Sequence, residues 1–165
     1  MHIRKAVESD LPRQMEIYSR AREFMKSTGN PNQWGATNWP PEEIIREDIR
    51  KGNSYVCEED GRVIGTFYYI YGEDVDPSYR QIEGGEWLQG GPYGVVHRIA
   101  SDGSKKGIGE FCLNWAFDQC KHLRIDTHAD NVVMQKLLGK LGFTHCGTVY
   151  VREDSDPRLA FEKLL

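Results

Sequence analysis

The segment Val95–Gly109, VVHRIASDGSKKGIG, most constrains what this chain can build. An apolar, β-like run turns through Ser, Asp and Gly into two lysines and a glycine pair, and an apolar rhythm of helical period follows. Gly107 and Gly109 permit close backbone approach, and a helix starting there aims free N–H groups and its positive end at one spot. With Lys105 and Lys106 alongside, the stretch reads as an anion cradle, and a phosphate-bearing ligand is the leading expectation.

The rest of the chain narrows what such a cradle serves. A length of 165 residues, 39% apolar and 28% charged, fits one soluble domain spanning 1–165 with a real core. A net charge of -4 argues against a general nucleic-acid binder, which would carry a basic stripe. Met1 runs straight into HIRKAVESD with no apolar leader, and no window reaches a membrane span, so no membrane partner and a cytoplasmic location are expected. Cys57, Cys112, Cys120 and Cys146 show no CxxC pairing, which favours reduced thiols over disulfides or zinc.

Strand and helix patterns alternate. HIRKAV reads as a strand, and Ser9 as the N-cap of a helix through Met25 whose inner face is Leu11, Met15, Tyr18, Ala21 and Met25. GNPNQWG ends that helix; Pro40 and Pro41 open another over Glu42–Arg50. SYVCEE and RVIGTFYYIYG form a hairpin across Glu59, Asp60 and Gly61. Residues 72–94 read as an ordered excursion or an extra hairpin held by Tyr79, Trp87 and Tyr93.

The next strand is Gly94–Ala100, and a helix from Gly107 puts Ile108, Phe111, Cys112, Trp115 and Ala116 on one stripe before the strand LRIDTH. These three make a parallel strand, helix, strand unit. Asp130 or Asn131 caps a further helix with Met134, Leu137, Leu138 and Leu141 inward, and Gly142 stops it. FTHCGTVYV and LAFEKLL, separated by DSDP, close an α/β (α+β) sheet with an antiparallel tail.

Two common phosphate loops do not fit. A Walker loop needs GK followed by Ser or Thr, and GxGxxG fails because Cys112 stands at its third glycine. The residues that do fit a pattern are SKKGIG after VVHRIAS, then IDTHADN, then LLGKLGF. Together with Asn131, Met134, Leu137, Gly142 and Phe143 they resemble the GNAT N-acetyltransferase superfamily, and GNPNQW with PYGVVHRIA resembles a bacterial subgroup of it. The resemblance implies a largely antiparallel central sheet with a splayed parallel strand pair and about four helices.

It also implies acetyl-CoA as acyl donor, with no metal. The backbone of Arg98, Ile99 and Ala100 would pair with the pantetheine arm, and the loop and helix start at Lys105, Lys106, Gly107, Ile108, Gly109 and Glu110 would hold the pyrophosphate, with Asn131 and Met134 beside the arm. Ser104 stands where the signature usually has Gln or Arg, and Leu138 where a Tyr usually protonates the thiolate. The general acid is therefore unassigned between a water on Asn131 and another residue such as Tyr150.

Catalytic candidates are His97, Asn131 and Glu86. His97 is the expected base, on the strand that carries the thioester, although alternation with Val95 and Ile99 also allows a packed histidine. Glu86 would reach the amine from its Gly-rich setting. Asp126 and His128 share a strand face without further ligands in metal spacing. The resemblance implies an acceptor wall at Gln33 and Trp34, joined by Tyr79 and Trp87, and the acidic and aromatic residues of the excursion favour a cationic amine.

The expected activity is direct acetyl transfer to a primary amine of a small molecule or a protein. The alternatives are a non-catalytic acyl-CoA-binding or sensing domain and a homodimeric interaction module.

Overall fold

A computed structural model describes residues 1–165. Strand-period runs form β1 (His2–Lys5), β2 (Ser54–Glu59), β3 (Arg62–Gly72), β4 (Tyr93–Ser101), β5 (His122–His128), β6 (Thr144–Tyr150) and β7 (Pro157–Leu164). Helix-period runs form α1 (Leu11–Ser27), α2 (Glu42–Arg50), α3 (Ile108–Cys120) and α4 (Val132–Lys140). The strands make one sheet in the order β1-β2-β3-β4-β5-β7-β6. Every neighbouring pair is antiparallel except β4 and β5. This is the mixed, largely antiparallel sheet with one parallel pair that the resemblance implied. No helix is long and apolar enough to cross a membrane.

Period-two alternation splits the core between the two faces of the sheet. Val56 and Val63 pack with Ile17, Tyr18 and Ile45 under α1 and α2. Cys57 and Ile64 pack with Ile108, Leu113, Leu123 and Leu138 under α3 and α4. A third cluster holds Tyr79, Tyr93, Val95, Val149 and Ala160.

Three local expectations change. Ser9 does not cap α1; it lies in a 3-10 turn, Glu8–Asp10, and α1 starts at Leu11. Asp10 takes over the corner because its carboxylate accepts from the Val7 N–H (2.8 Å) and from both terminal nitrogens of Arg4 (2.8 and 3.0 Å). The buried face of α1 is Leu11, Gln14, Ile17 and Tyr18, with Met15, Ala21 and Met25 at its margin. Gln14 is fully buried because its amide donates to Ser54 Oγ (2.8 Å) and Thr66 Oγ1 (3.0 Å), partners an apolar pattern does not reveal. The 72–94 excursion is ordered but is no hairpin; it makes a 3-10 turn, Pro77–Tyr79, and one bridge from Glu83 to Thr148 on β6.

The feature that positions the site is a bulge in β4. Thr66 faces Ala100 and Tyr68 faces His97, so Arg98 and Ile99 together oppose Phe67. Arg98 adopts a left-handed backbone, φ 51°, a conformation that costs a non-glycine residue energy and persists only where its surroundings fix it. Here they do: the Arg98 carbonyl accepts from Tyr18 Oη (2.8 Å), and the guanidinium donates to both oxygens of buried Asp48 (3.0 and 3.1 Å) while stacking 4.5 Å over Tyr68.

Bulges bend strands and end pairing. The parallel register of β4 with β5 covers Gly94–Leu123 and Val95–Arg124 alone. Beyond it the two strands separate into a wedge. Asp48→Ala should destabilise the protein by about 3–5 kcal/mol, the cost of a buried guanidinium left unpaired, whereas Asp48→Leu combined with Arg98→Met should cost much less. Urea denaturation of the single and double variants checks the difference.

Candidate active site

The strand-to-helix turn in which the sequence places the anion cradle lies at the junction of β4 and α3. Gly103 (φ 74°) and Gly107 (φ 86°) take left-handed turns that would strain other residues, and Gly107 caps α3. Asp102 rigidifies the turn, accepting from the Ser104 N–H (2.9 Å) and from Arg13 (2.6 Å). Ile108 pins the helix start into the core directly above Gly65, where an added Cβ would lie 2.8 Å from Ile108 Cγ2.

The N–H groups of Lys105, Lys106, Gly107, Ile108, Gly109 and Glu110 have no protein acceptor. They are free to bind an anion at the positive end of α3. Lys106 makes no ion pair, while Lys105 is held by Glu59 (2.8 Å) and Glu110 by Lys140 (3.4 Å). Ser104 and both lysines are exposed.

From the cradle the wedge runs between β4 and β5. Its deep part is a cavity lined by Val96–Ile99, Ile125–Thr127, Gln33, Trp34, Asn131 and Met134. Trp34 sits edge-on to Tyr18 at 5.8 Å. Asn131 caps α4 by accepting from the Met134 N–H (3.0 Å) and donates to Gln33 Oε1 (3.0 Å), which also accepts from Asn30 (2.8 Å). Asn131 therefore ties α4 to the α1–α2 loop, and Gln33 is fixed by two donors rather than free to turn toward a ligand.

His97 lies where the strands part. Its Nε2 is 2.5 Å from Asp76 Oδ2 and its Nδ1 is 3.7 Å from Asp126 Oδ2. Asp126 also accepts from Tyr79 Oη (2.6 Å), and Asp76 from the Ser78 N–H (2.9 Å). Burial alone would lower the His97 pKa, but the two carboxylates outweigh it and the net shift is upward. Burial raises Asp126, with His97 and Tyr79 opposing; burial also pushes Asp76 up, but the bond to His97, its charge and the Ser78 hydrogen bonds together outweigh it and the pKa falls.

A second cavity, about 370 Å³, opens on the other side of His97 and Arg98. Its wall includes Tyr68, Asp76, Ser78, Arg152 and Glu153. Glu153 also lines the wedge cavity. Burial and the Asp126 charge raise its pKa, opposed by His97 and Arg158. The two cavities thus share His97, Arg98 and Glu153.

Residues 15–143 match the family model described as the Acetyltransferase (GNAT) family. The chain belongs to the GNAT acetyltransferase family. It is 34% identical over 116 residues to S-(2-succino)cysteine N-acetyltransferase of Bacillus subtilis, a stretch covering 68% of this chain and 61% of that protein. A GNAT acetyltransferase crystal structure from Streptococcus agalactiae superposes with a TM-score of 0.89 at 31% identity, covering 99% of this chain and 95% of that one. The ribosomal-protein-S18-alanine N-acetyltransferase of Escherichia coli shares the fold, with a TM-score of 0.63 at 15% identity over 98% of this chain and 92% of that one.

GNAT enzymes take their acetyl group from acetyl-CoA, and the free amides of the cradle with the unpaired β4 edge fit a pyrophosphate joined to an amide-bearing arm. Other sequence candidates lie elsewhere. Glu86 is exposed, has no hydrogen-bond or ion-pair partner and lines neither cavity. Trp87 donates to the Tyr79 carbonyl (2.9 Å) and stacks 4.2 Å from Arg124, away from the wedge. Tyr79 is 2% exposed and reaches the site through Asp126. Leu138 is fully buried, and Tyr150 is exposed and lines neither cavity. Asp126 and His128 have separate partners, His128 bonding Asp156 at 2.9 Å.

Sequence reasoning missed Asp76, Arg152 and Glu153. No periodicity marks them: Asp76 precedes a Pro in the excursion, and Glu153 sits in a turn among Asp154 and Asp156, of which Asp154 pairs with Arg158 at 2.9 Å. Because His97 is raised in the folded state, the stability it contributes is complete below the unfolded imidazole value of about 6.5 and is lost as pH rises through the folded value. His97→Gln should therefore cost more stability at pH 6 than at pH 9, as read by chemical denaturation; an equal cost at both would contradict the charged imidazole.

Proposed function

We propose that this GNAT protein transfers the acetyl group of acetyl-CoA to the primary amine of a small molecule by direct attack in a ternary complex. The observation that carries the proposal is that β4 and the start of α3 bring together three features: free cradle amides, an unpaired β4 edge, and a cavity junction at His97. The amides of Lys105–Glu110 would take the pyrophosphate, and the Arg98–Ala100 backbone would pair with the arm. The thioester would then lie at the wedge floor, where a backbone N–H near Ile99 would stabilise the oxyanion.

The acceptor enters through the second cavity. Arg152 at its wall makes no ion pair, so a carboxylate-bearing amine is favoured over the cationic amine that the excursion's aromatics suggested. The substrate named for the Bacillus subtilis relative, S-(2-succino)cysteine, has that chemistry. A sensing role is the second reading, supported by the apolar Leu138 where a proton-donating Tyr is usual.

Calorimetry with acetyl-CoA should show binding that Gly109→Trp abolishes, since an indole at the start of α3 would crowd the free amides of the cradle. Free-CoA release with S-(2-succino)cysteine and a panel of amino-acid amines should then rise well above hydrolysis. Binding without acceptor-dependent release would favour the sensing role, and no binding by folded protein would refute both.

A further inference from the structure

Only His97, Arg98 and Glu153 line both the wedge cavity and the acceptor cavity. Arg98 is committed to Asp48 on both carboxylate oxygens. The neighbouring acids are likewise engaged: Asp76 by His97 and the Ser78 amide, Asp126 by Tyr79. Glu153 alone presents a carboxylate to the junction with no hydrogen-bond or ion-pair partner from another residue. His97 bonds Asp76 through Nε2 and has Asp126 3.7 Å from Nδ1, and these two carboxylates raise its pKa, which favours an imidazolium over the free base that the sequence suggested.

We infer that Glu153 is the general base that takes a proton from the acceptor's ammonium, and that the His97 imidazolium is the proton donor to the departing thiolate. The inference rests on the acetyltransferase reading above. Deprotonation by Glu153 frees the nitrogen lone pair, which attacks the thioester carbon and forms a C–N bond. The carbon–sulfur bond breaks, the sulfur leaves with its electron pair, and His97 protonates it to the free thiol. The extra ammonium proton still on the new amide nitrogen passes to the now neutral His97 and restores its imidazolium, and Glu153 releases its own to solvent, so one proton leaves per turnover. Asp76 and Asp126, the latter held by Tyr79, are positioning residues that keep the imidazole charged and oriented.

Each group's neighbours set its titration. His97 is faced by Asp76 from the 3-10 turn, Asp126 from β5, Glu153 from the β6–β7 connection, and Arg98, Tyr68 and Tyr79. Glu153 is faced by Asp126, His97 and Arg158. The rate should rise with pH as Glu153 loses its proton, above the ordinary carboxylate range, and fall as His97 loses its own.

The test uses acetyl-CoA with S-(2-succino)cysteine and the amine panel as probes. Glu153→Gln should lower kcat by about 10²–10⁴-fold, remove the acidic limb of the pH profile and leave calorimetric acetyl-CoA affinity unchanged. His97→Gln should remove the alkaline limb. An acceptor-independent reading is available from the imidazole NMR titration of His97, which should lie above the ordinary value of about 6.5 and move down in Glu153→Gln, where a facing negative charge is gone. Wild-type kcat and an intact acidic limb in Glu153→Gln, or a His97 titration at or below the ordinary value, would overturn the inference while leaving the acetyltransferase reading in place. An inactive wild-type protein across the panel would instead sink that reading, and the acid–base assignment with it.

Discussion

The left-handed backbone of Arg98 is the constraint on which the rest of this structure depends. A bulge at that point costs conformational energy and breaks strand pairing, and it persists because three separate elements hold it. Tyr18 on α1 bonds the carbonyl, Asp48 on α2 takes the guanidinium, and Tyr68 on β3 supports it from below. Helices that would otherwise serve as cover for one face of the sheet thereby fix the curvature of β4. That curvature limits the parallel pairing of β4 and β5 to two residues a side and leaves the wedge open.

The same bend determines the electrostatics. Parting the strands lets the excursion's Asp76 and the β5 residue Asp126 approach one imidazole from two directions. Three carboxylates around a single cation, with Glu153 the third, is an arrangement in which the acids cannot all ionise as freely as in water. The hydrogen bonds decide the distribution: Asp76, bonded to His97, stays charged, and the carboxyls of Asp126 and Glu153 are pushed up by burial. Opposite shifts of this kind around one junction are the usual means by which a site separates its acid from its base.

Much of the fold was legible because its signals are local. Alternation located the strands, helical spacing located α1, α3 and α4, Pro40 and Pro41 marked the start of α2, and Gly107 with the apolar rhythm after it marked the turn into α3. Asn131 was legible as a cap from its place before an apolar run. What the sequence did not reveal depends on distant partners. Gln14 is buried by two hydroxyls on β2 and β3, Ser9 lies within a 3-10 turn whose Asp10 is held by Arg4, and Trp87 packs against Arg124. His97 was found by residue type, but the carboxylates that face it, Asp76 and Asp126, were not, and Glu153 carried no pattern at all.

The central claim is that the wedge opened by Arg98 and the free amides at the start of α3 form one acetyl-CoA site. Amide NMR during titration with acetyl-CoA tests it most directly. The account predicts that the N–H resonances of Lys105–Glu110 and of Val96–Ala100 move together with a single dissociation constant, while those of the exposed β2–β3 turn at Asp60 and Gly61 stay fixed. Movement of the cradle resonances without those of β4, or no movement in either, would contradict it.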